Sequence, residues 1–260
     1  MAAASPSSTH LVLIPSFNSG ALLAETVRSA RAEWNPVWVV VDGSTDGSDC
    51  PVQAMAESDP GLRLLRLTRN GGKGAALLHG MEAALAAGFT HALAMDADGQ
   101  HPAEEIGRMM AASRTKPDAM VLGVPVFGPE APAIRVKGRR VSNFWTDLET
   151  LWSGVGDSLF GFRVYPAAPV VALMHRTRWM RRYDFDAEAA VRLCWLGLKP
   201  VNIPVPVRYL SREEGGISHF RYGRDNLLLT GMHTRLMLGF LPRLPLLVWR
   251  RLRQRAASRH

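Results

Sequence analysis

The sequence has little cysteine: Cys50 and Cys194 are the only two among its 260 residues, and no metal-binding spacing connects them. So few cysteines exclude a disulfide-stabilised scaffold and suit a reducing compartment. The sequence also lacks any uninterrupted apolar run close to the roughly 20 residues of a membrane-spanning helix. Residues 1–9 contain neither a basic region nor an apolar core, so we expect a flexible N-terminus, no signal peptide and a cytoplasmic location.

Acidic residues are missing from residues 226–260, which hold seven arginines, so most of the net charge of +8 belongs to this segment. The remainder of the chain is close to neutral, and a nucleic-acid-binding surface has no support from composition. Apolar and aromatic residues lie between the arginines, and Pro242 and Pro245 interrupt any single helix. This pattern predicts a basic amphipathic tail, peripheral on the cytoplasmic face of a membrane; packing on the main domain or partner binding is the alternative.

Common nucleotide and calcium motifs are absent as well. No glycine cluster follows the GxGxxG pattern of dinucleotide-binding sheets. Gly72-Lys73 lacks the earlier glycine and the following serine or threonine of a phosphate-binding loop. Asp42 begins an alternation of oxygen ligands, but Gln53 stands where a calcium loop requires glutamate. These absences remove three of the most familiar explanations for the glycine-rich loops.

What the sequence does contain is a regular alternation of strand-like and helix-like segments. Runs of β-forming residues without polar alternation are typical of strands buried on both faces, as in a parallel sheet covered by helices. The strand–helix order therefore predicts an α/β protein with a mostly parallel central sheet. Pro204 and Pro206 predict an edge strand at 201–207, and residues 126–140 are too irregular for any element. The predicted strands are 11–14, 37–41, 62–67, 91–95 and 119–123, and the predicted helices are 20–33, 48–58, 73–87, 103–113, 141–153, the later part of 181–196, and 222–239.

Polar loops follow three of the predicted strands, at residues 15–18, 42–47 and 96–101. In parallel α/β sheets, ligands bind at the carboxyl ends of strands. Asp96 and Asp98 point to the same side of an extended chain, and they would repel each other unless a cation neutralised them. Oxygen ligands favour Mg²⁺ or Mn²⁺, which keep positions open for water and substrate phosphates. We therefore expect a divalent metal site at this Asp-x-Asp motif.

The same loops carry a resemblance. IPSFN, VVVDGSTDGS, RNGGKGAAL, MDADGQHP, DSLFGFRVY, FDAEAAVRL and GGISHF occur in the order and approximate spacing of family 2 glycosyltransferases, over about residues 10–222. More narrowly, the chain resembles the dolichyl- and polyprenyl-phosphate mannose and glucose synthase branch. The resemblance implies a GT-A domain at residues 10–225, followed by the tail at 226–260. It also implies inverting, metal-dependent transfer of a hexose from a UDP- or GDP-sugar to a lipid-linked acceptor such as polyprenyl phosphate.

The resemblance further implies which residues form the donor site. The implied nucleotide-binding residues are Pro15, Phe17, Asn18, Asp42, Asn70, Lys73 and Asp96, and the implied metal and diphosphate ligands are Asp96, Asp98 and Gln100. A metal held at the diphosphate stabilises the charge that develops on the leaving group. Two of these positions have structural alternatives, because Asp42 lies in turn-forming sequence and Lys73 begins a predicted helix.

The acceptor side depends on the nature of the acceptor. A lipid phosphate is already an anion and needs cationic positioning, for which Arg139, Arg140 and Arg163 are suited by their planar donors. The alternative for the first two is a solvated basic loop. The full set that we expect at the acceptor is Arg139, Arg140, Ser158, Ser218 and His219, with Arg163 counted among the catalytic residues.

A hydroxyl acceptor, on another amphiphile or a glycan, would instead require a carboxylate base within hydrogen-bond reach. Asp184, Asp186 and Glu188 are the candidates in the sequence, and Asp186 and Glu188 occupy the family's acidic positions. The alternative for Asp186 is a helix-capping role.

The sequence departs from the family pattern at three positions, and the acid at Glu213, in a loop that would face the lipid phosphate, weakens the polyprenyl-phosphate interpretation. Val41 replaces one of a pair of acids, Glu213 replaces an arginine, and His219 replaces a lysine. Histidine is the weaker cation at neutral pH. Two other classes therefore stay open: a nucleotidyltransferase-like enzyme, whose glycine-rich signature residues 10–20 lack, and a non-catalytic nucleotide-binding module at the membrane.

Overall fold

The computed structural model describes residues 5–128, 133–207 and 222–257. Within these residues the chain forms one seven-stranded sheet in the order β3-β2-β1-β4-β6-β5-β7. The strands are β1 (His10–Ser16), β2 (Val37–Asp42), β3 (Leu62–Leu67), β4 (His91–Ala94), β5 (Met120–Phe127), β6 (Arg163–Pro166) and β7 (Pro200–Val207). The helices are α1 (Leu22–Glu33), α2 (Cys50–Ser58), α3 (Lys73–Ala86), α4 (Ile106–Thr115), α5 (Ala133–Glu149), α6 (Ala167–His175), α7 (Phe185–Leu196), α8 (Tyr222–Phe240) and α9 (Leu244–Ala257), with short 3-10 turns at Ala103–Glu105 and Leu241–Arg243.

The central strands are buried on both faces, which explains their lack of polar alternation. Every residue of β1, β2 and β4 is buried. Val12 and Ile14 pack in a cluster with residues of α1, α2 and α4, whereas Leu11 and Leu13 pack on the opposite face with α3, α6 and α7. The predicted α/β class with a mostly parallel sheet is therefore confirmed, and β6 is the strand that runs antiparallel to its neighbours.

Three local predictions were wrong or incomplete. Pro15 does not stop the first strand, which continues to Ser16 in register with β2. The carbonyl of Leu13 accepts the N–H of Met95, so Leu13 faces β4. The nitrogen of Pro15, two residues further along the strand, faces the same side but lies beyond the end of β4, so no N–H donor is needed there. The sequence pattern also did not reveal β6, because a four-residue strand is too short to show periodicity. The helix α6, which follows β6 directly, was missed as well.

The basic stretch predicted to be irregular contains the first half of α5. The helix begins at Ala133, after the last proline of that stretch, and Gly138 within it has open space around its Cα. The prolines therefore precede the helix, and Gly138 within it does not break it. At its far end α5 stops at Glu149, before the predicted end at residue 153, because Leu151 and Trp152 adopt positive φ angles.

The predicted edge strand is confirmed, since β7 closes one side of the sheet beside β5. The C-terminal segment forms α8 and α9, interrupted at the prolines. Met232, Leu236, Phe240 and Leu247 are buried against α7, so one face of the tail packs on the domain while other side chains stay exposed. In the part of the chain that the structure covers, we find no helix whose length and apolar character would allow it to cross a bilayer.

Candidate active site

The direction of the strands brings the site residues together at the edge of the sheet where the parallel strands end. The carboxyl ends of the parallel strands β1, β2, β3 and β4 meet there, and β6 begins at the same edge because it is antiparallel to β4. In the β4–β6 register Ala94 is opposite Arg163, so two residues further out Asp96 faces Gly161. This register places the acidic loop after β4 directly against the loop that precedes β6.

Asp96, Lys73 and Asp186 form the centre of the site. The Nζ of Lys73 lies 2.7 Å from Oδ1 of Asp96 and 2.7 Å from Oδ2 of Asp186. These residues come from the loop after β4, the first turn of α3 and the first turn of α7. A Cβ added to Gly161 would lie 2.3 Å from this Nζ and 3.0 Å from Oδ2 of Asp96. Only glycine at this position leaves room for the ion pair as it stands.

The protonation states follow from burial and charge. Burial opposes the charged form of Lys73, but the carboxylates of Asp186 and Asp96 outweigh it and raise its pKa above the usual value. Burial likewise opposes ionisation of Asp96, but the charge of Lys73 holds its pKa below the usual value. Burial, together with the charge of Asp96, raises the pKa of Asp98. Lys73 is thus an ammonium between Asp96 and Asp186, Asp96 is held as a carboxylate, and a further cation would help Asp98 to ionise.

His101 supports the acidic loop from behind. Its Nδ1 accepts the backbone N–H of Asp96 at 3.0 Å, and its ring packs against Phe160 and Phe162. Burial lowers the pKa of His101 although the carboxylates of Asp96 and Asp98 oppose this effect. A neutral imidazole can accept at Nδ1, so the buried ring fixes the backbone of Asp96 without adding charge.

The donor atoms of this loop fit a divalent metal that shares its ligands with a substrate. Asp96, Asp98 and Gln100 lie in one turn, in which Oδ1 of Asp98 accepts the N–H of Gln100. Oδ1 of Asp186 is buried and has no hydrogen-bond partner among the described residues. No cluster of three or more His, Cys, Asp or Glu poised for a metal occurs in residues 5–128, 133–207 and 222–257. The oxygen atoms of Asp96, Asp98 and Gln100 are the type of ligand that Mg²⁺ and Mn²⁺ prefer, and such ions often complete their coordination with water and phosphate.

Asp42 has a structural function in this structure. It is buried, and its two carboxylate oxygens accept the N–H groups of Gly71 and Gly72 at 2.8 and 2.7 Å. These bonds tie the end of β2 to the loop that precedes α3. The loop is packed closely on its other side, since a Cβ on Gly72 would lie 2.6 Å from the carbonyl oxygen of Arg181. Asp42 thereby helps to place Lys73, and its predicted contact with the base remains a prediction.

The other predicted nucleotide residues line the same edge. Oδ1 of Asn18 accepts the N–H of Thr45 at 2.8 Å, which links the loops after β1 and β2. Phe17 is 36% exposed beside Asn18, whereas Pro15 is buried within β1. Oδ1 of Asn70 lies 3.5 Å from a nitrogen of Arg182. Asn18 and Asn70 therefore belong to the three loops that surround Asp42, and the structure brings the predicted donor residues to one side of the sheet.

Arg163 is bonded to protein groups within the fold, and its predicted role towards the glycosyl acceptor remains a prediction. The side chain is fully buried. Its guanidinium donates to the carbonyls of Phe160, Asp157 and Asp186 and to the hydroxyl of Tyr165. Because these acceptors use the donors of the guanidinium, Arg163 holds the loop before β6 against α7 and positions Asp186 from behind.

The remaining predicted acceptor residues are divided. Ser158 is fully buried and donates to Oδ1 of Asn143 at 2.7 Å, so its predicted contact with an acceptor is not available in this structure. Arg139 pairs with Asp157 at 2.6 Å, and the exposed Arg140 lies beside it at the rim of a cavity between β5 and α5. Ser218 and His219, like Glu213, lie outside the described residues.

Of the three candidate bases, only Asp186 faces the cluster around Lys73. Glu188 is fully buried, and its oxygens pair with Arg192 at 2.7 Å and Arg235 at 3.0 Å. Asp184 accepts the N–H groups of Met180 and Arg182. Glu188 therefore joins α7 to α8, which is a packing function that sequence alone did not distinguish from a catalytic one. Asp184, not Asp186, occupies the cap position of α7.

Sequence reasoning missed four residues that shape the site. His101 directly follows the predicted motif, so its position was a usable signal. Asp157 begins the DSLFGF segment and accepts the N–H groups of Leu159 and Phe160. Gly161 and Arg235 had no local signal, because each matters only through contacts with distant segments.

The mixed sheet with the acidic site at its carboxyl edge has the GT-A fold, which solved structures of glycosyltransferases share. Residues 11–182 match the family model described as glycosyl transferase family 2, and the chain belongs to this family. The predicted enzyme class and family are therefore confirmed, and a non-catalytic binding module is set aside.

The curated relatives extend over most of the chain. An undecaprenyl-phosphate mannosyltransferase of Micrococcus luteus is 29% identical over 220 residues, covering 79% of this chain and 85% of the relative. A polyprenol monophosphomannose synthase of Mycolicibacterium smegmatis is 27% identical over 216 residues, covering 81% and 80%. These relatives bear out the predicted resemblance to the polyprenyl-phosphate mannose synthase branch.

Solved structures show the same fold at lower identity. Glucosyl-3-phosphoglycerate synthase of Mycobacterium tuberculosis matches with a TM-score of 0.59 and 18% identity, over 90% of this chain and 80% of that one. A mannosyltransferase from Pyrobaculum calidifontis, solved with GDP-Man and Mn²⁺, matches with a TM-score of 0.52 and 20% identity, over 78% and 58%. Identities this low support the GT-A fold alone.

Proposed function

We propose that this protein is an inverting hexosyltransferase that uses a UDP- or GDP-sugar and Mg²⁺ or Mn²⁺ to glycosylate a lipid-linked acceptor. The observation that carries this proposal is the cluster of Asp96, Lys73 and Asp186 at the carboxyl edge of the sheet, with Asp98 beside it. The cluster combines a cation for a diphosphate with carboxylates for a metal. The names of the curated relatives support the lipid-phosphate acceptor.

The division of work among the residues follows from their positions. Asp96 and Asp98, with Gln100, would hold the metal, which when bound supplies electrostatic stabilisation of the departing diphosphate. Lys73 provides a mobile cation on a flexible stem at the same place. Asp186 faces the reacting region from α7, and Arg163 keeps it there. A lipid phosphate is already ionised, so transfer of the hexose to it needs no base. Arg139 and Arg140 would hold this phosphate by charge.

A second acceptor chemistry has an observation in its favour. Oδ1 of Asp186 is buried without a hydrogen-bond partner in the described part of the chain, and such an atom is suited to accept a proton or a hydroxyl. Transfer to a hydroxyl of another amphiphile or glycan, with Asp186 as the base, is therefore the alternative.

A transfer assay with labelled UDP- and GDP-hexoses, Mn²⁺ and either polyprenyl phosphate or a hydroxyl amphiphile tests the proposal. We expect product only with a phosphate acceptor, and Asp96→Asn should lower kcat/KM by about 10²-fold or more, as loss of a transition-state contact does. Arg140→Gln should raise KM for the lipid phosphate. Product with the hydroxyl acceptor alone, abolished by Asp186→Asn, would establish the alternative.

A further inference from the structure

The ammonium of Lys73 and the predicted metal compete for the same carboxylate. Nζ lies 2.7 Å from Oδ1 of Asp96, and Asp96 is also the first acid of the Asp-x-Asp motif. A divalent cation on this carboxylate would lie a few ångström from the ammonium, in a site where only 13% of the Lys73 side chain is exposed. Like charges this close repel strongly where water is scarce. Asp186 is already paired with Lys73, and Asp98 can balance only part of the charge of the metal, so additional negative charge in the site favours binding of both cations together.

The surroundings maintain Lys73 in this position. Asp186 holds the same ammonium from the other side at 2.7 Å, and the missing side chain of Gly161 provides the space that the ammonium occupies. Asp186 is in turn fixed by Arg163, which binds its backbone carbonyl. The contact is therefore built by three segments distant in sequence, and it does not depend on a flexible surface lysine meeting an acid by chance.

A diphosphate would remove the conflict. Lys73 stands in the first turn of α3, and a helix N-terminus attracts phosphate groups. Its four-carbon stem lets the ammonium turn from Asp96 to a phosphate oxygen while α3 stays in place. The diphosphate of a nucleotide sugar or of a nucleoside diphosphate brings at least two negative charges, which can pair with both cations. Without the diphosphate, either the ammonium or the metal has Asp96, but not both.

Building on the proposed function, we propose that Lys73 is a resident cation that excludes free divalent metal from Asp96 until a nucleoside diphosphate enters. Lys73 then pairs with the diphosphate and leaves Asp96 to the metal. The enzyme consequently takes up metal and donor together, and metal alone binds weakly. In this role Lys73 sets the order of binding, in addition to the nucleotide contact predicted for it.

The test is Mn²⁺ binding measured by electron paramagnetic resonance, first without nucleotide. Lys73→Gln removes the charge and keeps a polar side chain, and we expect it to bind Mn²⁺ about tenfold more tightly than the wild type. Lys73→Arg retains the charge and should bind Mn²⁺ as weakly as the wild type. Lys199→Gln, which removes a lysine at the start of β7 remote from the site, should change nothing. With excess UDP or GDP the order should reverse, and Lys73→Gln should bind Mn²⁺ less tightly than the wild type.

If folded Lys73→Gln binds Mn²⁺ as tightly as the wild type or less tightly in the absence of nucleotide, the proposed competition between Lys73 and the metal is overturned. Circular dichroism establishes folding, and if Lys73→Gln is unfolded, Gly161→Ala replaces it. The added methyl group removes no charge, and it would lie 2.3 Å from the ammonium but 3.0 Å from Oδ2 of Asp96, so it displaces chiefly the ammonium. Tighter Mn²⁺ binding supports the proposal, and unchanged or weaker binding overturns it. Absence of Mn²⁺ binding by every variant, even with UDP or GDP, would instead overturn the metal-dependent function and this inference with it.

Discussion

Two histidines on neighbouring strands illustrate how single residues set the pH response. His10 and His91 face each other across β1 and β4, with ring centroids 4.4 Å apart. His10 Nε2 lies 3.1 Å from the hydroxyl of Ser113 in a buried position. Burial, with smaller effects of His91 and Arg114, lowers the pKa of His10 from 6.5 to about 4. Both rings are therefore stacked inside the sheet in a setting that disfavours charge on His10.

The depressed pKa of His10 predicts a specific loss of stability in mild acid. The unfolded chain takes up a proton below pH 6.5, but the folded chain resists it down to about pH 4. The stability contributed by neutral His10 is present above pH 6.5 and should fall by roughly 2–3 kcal/mol as the pH drops through this window. Urea unfolding of wild type and His10→Gln between pH 7.5 and 4.5 measures the difference. Parallel pH curves for the two proteins would contradict it.

Asp42 predicts a separation of stability from nucleotide contact. Asp42→Ala leaves the N–H groups of Gly71 and Gly72 without partners, which costs about 1–3 kcal/mol for each buried group. We expect a lower melting temperature and a smaller loss for Asp42→Asn, which keeps one acceptor oxygen. Thermal unfolding with and without UDP or GDP measures both functions. If Asp42→Ala melts like the wild type but loses nucleotide affinity, the bonds to the loop contribute nothing.

Among the elements, α8 connects the tail to the site through one arginine. Arg235 lies 3.0 Å from Glu188 and 3.7 Å from Asp184, and its guanidinium stacks 4.0 Å from the ring centre of Trp179. Glu188 and Asp184 belong to the turn that also carries Asp186. The first turn of α7 is thus held by the tail helix on one side and by Lys73 on the other.

Breaking this connection should affect both stability and activity. Arg235→Met leaves buried Glu188 with Arg192 alone, and we expect a loss of about 2–3 kcal/mol, somewhat less than for a fully broken buried pair. The double variant Arg235→Met/Glu188→Gln should recover part of this loss, because it removes the uncompensated charge. Chemical denaturation and kcat measured on all variants test the coupling. Additive effects of the two substitutions would show that the pair is not coupled.

The order of elements was largely readable from the sequence, and the exceptions have physical causes. The strands β1 and β2 were predicted because their continuous apolar runs are what burial between two helical layers requires. The beginning of α5 was missed because prolines just ahead of it resemble a breaker inside it. The site loops were predicted from strand ends, but the pairing of Lys73 with Asp186 was not, since the two are 113 residues apart. The pair joins the first turns of α3 and α7, and no local pattern in the sequence indicates that these two turns meet.

At the scale of the whole molecule, the tail presents two different surfaces. Its inner face is buried on α7, whereas Leu238, Leu241, Trp249 and Leu252 are between 48% and 67% exposed. The same segment contains arginines and no acidic residue. The guanidinium of Arg253 stacks 4.0 Å from the ring centre of Trp249. Apolar side chains interleaved with cations fit the surface of an anionic bilayer.

The exposed face of the tail should bind anionic vesicles in a salt-dependent way. We expect the protein to float with vesicles that contain phosphatidylglycerol, and Trp249→Ser/Leu252→Ser to weaken this binding, because each lost apolar contact with the bilayer costs affinity. Higher salt should weaken it as well. Equal flotation of wild type and double variant would show that this face does not meet the membrane, and phosphatidylcholine vesicles provide the uncharged control.

The register between β4 and β6 also determines which residue lies against Asp96 in the active site. Sliding β6 by a single position would bring Phe160 or Phe162 to the place of Gly161, and an aromatic ring would fill the space that the lysine head group needs. Insertions between Asp157 and Arg163 should therefore be tolerated far less well than insertions in the turn at residues 116–118, although both loops join elements of the same sheet. The chemistry of the active site therefore depends on the register of the short strand β6 and on the number of residues between Asp157 and Arg163.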